Sequence, residues 1–95
     1  MRGYELTFVA RPTLDEDGMV ALVEKVSGAI TALGATVGEV KRWGRRRLAY
    51  AIKRYVEGIY VLIRMDIDTG SLPELERTLK LNEDIVRYLI VRQPE

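Results

Sequence analysis

Ninety-five residues, nearly half of them apolar, suffice for one domain with a modest core, and a single domain over residues 1–95 is expected. The chain has neither Cys nor His, which excludes disulfides, thiolate chemistry and the common zinc sites. Net charge is only +1, so any attraction to nucleic acid must come from how the charges are distributed.

The opening MRGYELTFVARP runs straight into strand-like sequence and lacks the apolar stretch of a secretory signal. No apolar run approaches the roughly 20 residues of a membrane helix. A cytoplasmic protein without membrane contact is the expectation.

The first strand, Tyr4 to Ala10, alternates Leu6, Phe8 and Ala10 against Glu5, Thr7 and Val9. Arg11-Pro12 ends it, because proline cannot donate to a ladder. Thr13-Leu14-Asp15-Glu16 reads as a capping box. Met19, Leu22, Val23, Val26, Ile30 and Leu33 then follow at helical spacing, and Gly34 supplies a left-handed exit. A second strand runs from Ala35 to about Ile52, with a bulge or bend expected near Gly44. Glu57-Gly58 is read as the turn into a third strand, Ile59 to Asp68. There Ile59, Val61, Ile63, Met65 and Ile67 alternate with Tyr60, Leu62, Arg64 and Asp66. Ser71-Leu72-Pro73-Glu74 is a second capping box, opening a short helix that turns Leu72, Leu75 and Leu79 inward and ends near Asn82. A last strand covers Ile85 to Arg92, with Val86, Tyr88 and Ile90 opposite Arg87, Leu89 and Val91.

The order βαββαβ predicts an α+β, ferredoxin-like sandwich: a four-stranded antiparallel sheet with two helices on one face. The other face is left open. Val9, Tyr60, Leu62, Leu89 and Val91 should form an apolar row on it, large enough for a protein partner. Leu62 and Leu89 should point away from the helices, and a Glu at Leu62 should cost folding little. The same topology occurs in RNA-recognition modules that stack bases on sheet aromatics, but only Tyr60 is offered on the central strands, so stacking is not expected.

Charge is segregated along the chain. Lys41, Arg42, Arg45, Arg46, Arg47, Lys53 and Arg54 follow one another without an acid between them, whereas over residues 66–84 the balance reverses, with Asp66, Asp68, Glu74, Glu76, Glu83 and Asp84 against Arg77 and Lys80. The adjacent Arg45, Arg46 and Arg47 lie on an extended segment and project to both of its faces, within reach of phosphates. The plainer reading is a solvated hairpin whose charge deters edge-to-edge association. Tyr4 and Tyr50 could stack on a base or ribose, though such residues more often cover a sheet end. Trp43, beside the basic run, is read first as a packing residue.

Gly44-x-Arg46-Arg47-Leu48-Ala49-Tyr50-x-Ile52 resembles the signature of the bacterial small-subunit ribosomal protein S-six family. Met1-Arg2-x-Tyr4-Glu5, Asp84-Ile85-Val86-Arg87-Tyr88 and Ile90-Val91-Arg92 match that family at the expected separations. The resemblance implies the ferredoxin-like fold, a place on the central domain of small-subunit ribosomal RNA, and pairing with the small basic ribosomal protein S-eighteen. Many members carry an acidic or disordered C-terminal tail, where the sequence here ends Gln93-Pro94-Glu95. Arg2, Tyr4, Arg45, Arg46, Arg47, Tyr50, Arg87 and Arg92 are the RNA-contact candidates, and the open-face apolar residues are the partner candidates. A free-standing ferredoxin-like regulator, binding a small ligand or self-associating through the same face, is the alternative.

Asp66-x-Asp68 and Asp15-Glu16-Asp17 are the acidic groups to weigh as metal ligands. Asp15 and Glu16 suit a helix N-terminus, and Asp66/Asp68 has neither a third ligand nor a glycine-rich loop. Without a nucleophile–base pair, neither enzymatic activity nor a cofactor or metal is expected.

Overall fold

The computed structural model describes residues 1–94; Glu95, the last residue of the expected domain and of the Gln93-Pro94-Glu95 ending, lies outside the described residues. In chain order the elements are β1 (Arg2–Ala10), α1 (Glu16–Ala32), β2 (Thr36–Ile52), β3 (Tyr55–Ile67), a 3-10 turn (Thr69–Ser71), α2 (Leu72–Leu81) and β4 (Ile85–Arg92). The strands pair antiparallel in the order β2-β3-β1-β4. This is the ferredoxin-like βαββαβ sandwich that the alternating patterns imply.

Strand alternation puts Tyr4, Leu6, Phe8 and Ala10 of β1 and Ile59, Val61, Ile63, Met65 and Ile67 of β3 on one face. Met19, Leu22, Val26 and Ile30 of α1 and Leu75 and Leu79 of α2 close over them as a single apolar core. Burying each large side chain, such as Phe8, contributes roughly 1.5–3 kcal/mol.

Several local expectations are corrected. Thr13 does not cap α1: its hydroxyl accepts from Arg11, and Leu14 N–H turns back to Arg11 C=O at 3.4 Å. The helix therefore starts later, with Asp15 accepting from Gly18 N at 2.8 Å. Ser71 makes no side-chain cap, because the 3-10 turn already holds it in helical conformation (φ −91°, ψ −10°). Gly34 does close α1 with φ +80°, its N–H donating to Thr31 C=O at 3.0 Å. In β4 the register slips between Val9 and Ala10 of β1, so Ile85 rather than Val86 enters the core.

The largest correction is the β2–β3 hairpin. Glu57-Gly58 does not turn the chain; both residues lie within β3, and Gly58 pairs with Arg46. The turn is at Lys53 and Arg54, both non-glycine residues at positive φ (50° and 74°). Gly58 is needed for a different reason. A Cβ there would stand 2.1 Å from Val9 Cγ1, so the glycine makes room for Val9 to cross it.

Candidate nucleic-acid and partner interface

Directly paired residues of neighbouring strands share a face, so the register lays out the open side. From one end to the other it runs Gly3/Asp66, then Glu5/Arg64/Val91, then Thr7/Leu62/Lys41/Leu89, then Val9/Tyr60/Gly44/Arg87, then Arg46/Gly58.

The first half of this face is ionic. Arg64 Nε donates to Glu5 Oε2 at 2.9 Å, and its Nη1 stands 3.4 Å from Glu39 Oε1, which also faces Lys41 Nζ at 3.8 Å. These pairs are partly solvated, so they orient the side chains more than they stabilise the fold.

The second half is apolar and then basic. Val9 and Leu62, in the middle of the sheet, are only 4% and 7% exposed. Both point away from the helices as alternation requires, yet their neighbours already cover them, so Leu62 is not the water-facing position that alternation alone suggests. Leu89 and Val91, on the edge strand β4, are 61% and 49% exposed, and Tyr60 lies between these extremes. Thr7, Val9, Tyr60, Arg87, Tyr88 and Leu89 line a shallow hollow across β3, β1 and β4.

The basic run sits at the hairpin end. A bulge between Arg42 and Gly44, with Gly44 at φ +81°, sets Trp43 and Gly44 together opposite Tyr60. That single extra residue reverses the facing of everything beyond it. Arg45 consequently pairs with Ile59 on the helix side, and Arg46 with Gly58 on the open side. The basic residues are not equally available. Arg42 makes a two-pronged bond to Glu16 at 2.7 and 2.8 Å, which holds the Glu16 carboxyl below its usual range. Arg45 stands 3.7 Å from Glu57 Oε1. Among the described residues, Arg46, Arg47, Lys53 and Arg54 make no ion pair. Most of the uncompensated positive charge of the run is thus gathered at one end of the molecule.

Of the remaining candidates, Tyr50 and Arg87 are brought together from opposite edges of the sheet, Arg87 Nη1 donating to Tyr50 Oη at 3.1 Å. Arg2 and Arg92 are exposed, at the ends of β1 and β4. Tyr4 is displaced from the set. It is 7% exposed, belongs to the core, and its hydroxyl bonds Thr69 Oγ1 at 3.0 Å, because it shares its strand face with Leu6 and Phe8. Among the described residues no group of acidic side chains could hold a metal ion, and no helix is long and apolar enough to cross a membrane.

The family model described as ribosomal protein S6 matches residues 3–92. The chain belongs to the ribosomal protein S6 family. It is 41% identical over 95 residues to the small ribosomal subunit protein bS6 of Desulforamulus reducens, covering all of both chains. It is 44% identical over 95 residues to that of Moorella thermoacetica, covering 100% of this chain and 97% of the relative. The crystal structure of 30S ribosomal protein S6 from Thermotoga maritima superposes with a TM-score of 0.91 at 33% identity, over 97% of this chain and 87% of that one. The span matched by the ribosomal protein S6 model contains every candidate residue except Arg2.

Residue-level reading missed two features of the site. Lys53 and Arg54 belong to the basic run and also form the hairpin turn, which the sequence does not signal because neither is a usual left-handed residue. Trp43 is not a packing residue: it is 47% exposed and lines a depression with Arg46, Arg47 and Tyr60. The signal for it is the bulge expected at Gly44, since a bulge re-aims the neighbouring side chains.

Proposed function

We propose that the protein is a structural constituent of the small ribosomal subunit. In this reading it binds the central domain of small-subunit ribosomal RNA through its basic hairpin end and docks ribosomal protein S-eighteen on its open sheet face. It works in the cytoplasm, on the ribosome, as a binding component rather than an enzyme. The observation that supports this most is the concentration of unpaired Arg46, Arg47, Lys53 and Arg54 at one end of the sheet. Phosphate oxygens accept from such side chains and release condensed counterions as they do so. The exposed Leu89 and Val91, continuous with Tyr60, offer the adjoining apolar area that a protein partner would cover. Full-length similarity to small ribosomal subunit proteins favours this over a free-standing small-ligand regulator.

The test is an RNA-binding assay on a central-domain fragment with and without the S-eighteen partner. Replacing Arg46 and Arg47 by Ala should leave melting unchanged, since exposed charges add little to stability, while weakening RNA binding at least several-fold. Unchanged binding would remove the hairpin from the interface.

A further inference from the structure

Phosphate contacts leave one feature of the hairpin end unexplained. Trp43 is the sole Trp of the chain, and it is a bulged residue on a strand, not a core one. Trp43 and Gly44 together oppose Tyr60, and Trp43, Tyr60, Arg46 and Arg47 line one open depression. Nearly half the surface of Trp43 is left to water although the indole ring gains more from burial than most side chains. The left-handed Gly44 that makes the bulge adds no side chain that could cover the ring. Neither arginine of this depression is engaged by a carboxylate among the described residues.

We propose that this depression is a stacking site for one unpaired base of the RNA, with Trp43 and Tyr60 as the aromatic surface and Arg46 and Arg47 holding the flanking phosphates. The proposal rests on the RNA reading above and adds to it a contact of different physics. Single-stranded RNA is bound by aromatic rings that take the base and cations that take the backbone. An unstacked base is a flat apolar surface with polar edges, and it suits a two-ring depression open to solvent. A paired base inside a helix cannot reach such a site, so the RNA ligand is a loop, bulge or junction nucleotide. Tyr60 alone on the central strands is too little to stack a base, but Trp43 stands beside it. The two come from different strands and are joined only by the register.

Stacking and phosphate contact separate by their response to salt, because only the second releases counterions. RNA binding of the native chain, Trp43→Ala, Trp43→Phe and Arg46→Ala/Arg47→Ala is measured across a range of salt, with a central-domain rRNA fragment and the S-eighteen partner present. Trp43→Ala should lose affinity by about tenfold at every salt concentration, leaving the slope of log affinity against log salt unchanged. Trp43→Phe should retain most of the affinity. The double arginine variant should lower the slope by about two. Emission from the native Trp43 should be quenched when RNA is added to the protein–partner complex, with Trp43→Phe as the background. Native-like affinity of Trp43→Ala, or Trp43 emission indifferent to RNA, overturns the stacking site while leaving the arginine contacts standing. Failure of Trp43→Ala to co-purify with the partner overturns it in favour of a protein contact. Absence of RNA binding by the native chain overturns the RNA reading and the stacking site with it.

Discussion

The two faces of the sheet are written by the same four strands, and they differ in what closes them. On the helix side, Leu6, Phe8, Val61 and Ile63 are completely covered by side chains from α1 and α2. On the other side, Val9 and Leu62 are covered only by their own sheet neighbours, and the cover fails at the edge, where Leu89 and Val91 stand in water. Apolarity alone therefore does not distinguish the core face from the open face here. What distinguishes them is whether the fold itself supplies a covering layer.

Placing a carboxylate at graded positions is the sharpest way to break that comparison. The largest effect is expected for Val61→Glu, which would bury an unpaired charge in the helix-covered core and cost more than about 4 kcal/mol; circular dichroism should show no folded protein. Leu62→Glu, one residue along the same strand, should be intermediate. It points to the open face but is 7% exposed, so its melting temperature should fall by an amount worth roughly 1–3 kcal/mol while the protein still folds. Leu89→Glu should change stability by no more than about 0.5 kcal/mol, yet it should abolish co-purification with S-eighteen, because the same carboxylate would be desolvated in the complex. If Leu89→Glu folds and still binds the partner, the docking surface lies elsewhere.

The smallest effect concerns the Arg42–Glu16 bond between β2 and the first turn of α1. Arg42, by hydrogen bonding and then by charge, keeps the Glu16 carboxyl below its ordinary value of 4.5. A lowered folded-state value means stability present above about 4.5 and lost as pH falls through the folded-state value. Glu16→Gln should therefore melt slightly below the native protein at neutral pH and match it in acid. A difference that persists below the folded-state value would mean that the side chain acts by packing.

The sequence made the architecture legible because its strand alternation and helix spacing agree with the core at nearly every position. Leu6, Phe8 and Ala10, the odd-numbered apolar residues of β3, and Met19 through Ile30 all fall where their periods put them. Errors arose where a tertiary contact outranked a local signal. Gly58 looks like a turn glycine, but Val9 on the neighbouring strand needs its missing Cβ. Tyr4 is the opposite case: the alternation of Leu6, Phe8 and Ala10 already places it on the core face, and its hydroxyl reaches Thr69 Oγ1, 65 residues away. The basic cluster was legible as composition. Its division into paired Arg42 and Arg45 and unpaired Arg46 and Arg47 was not, since it depends on one bulge and on where Glu16 and Glu57 stand.

The most direct test of the central reading is the salt dependence of RNA affinity for the native protein with its partner, set beside the same measurement on Arg46→Ala/Arg47→Ala. The native complex should lose affinity steeply between about 50 and 200 mM salt, and the variant should bind more weakly with a shallower slope. An affinity that stays flat with salt, or a variant with the native slope, would contradict a hairpin end that binds phosphate.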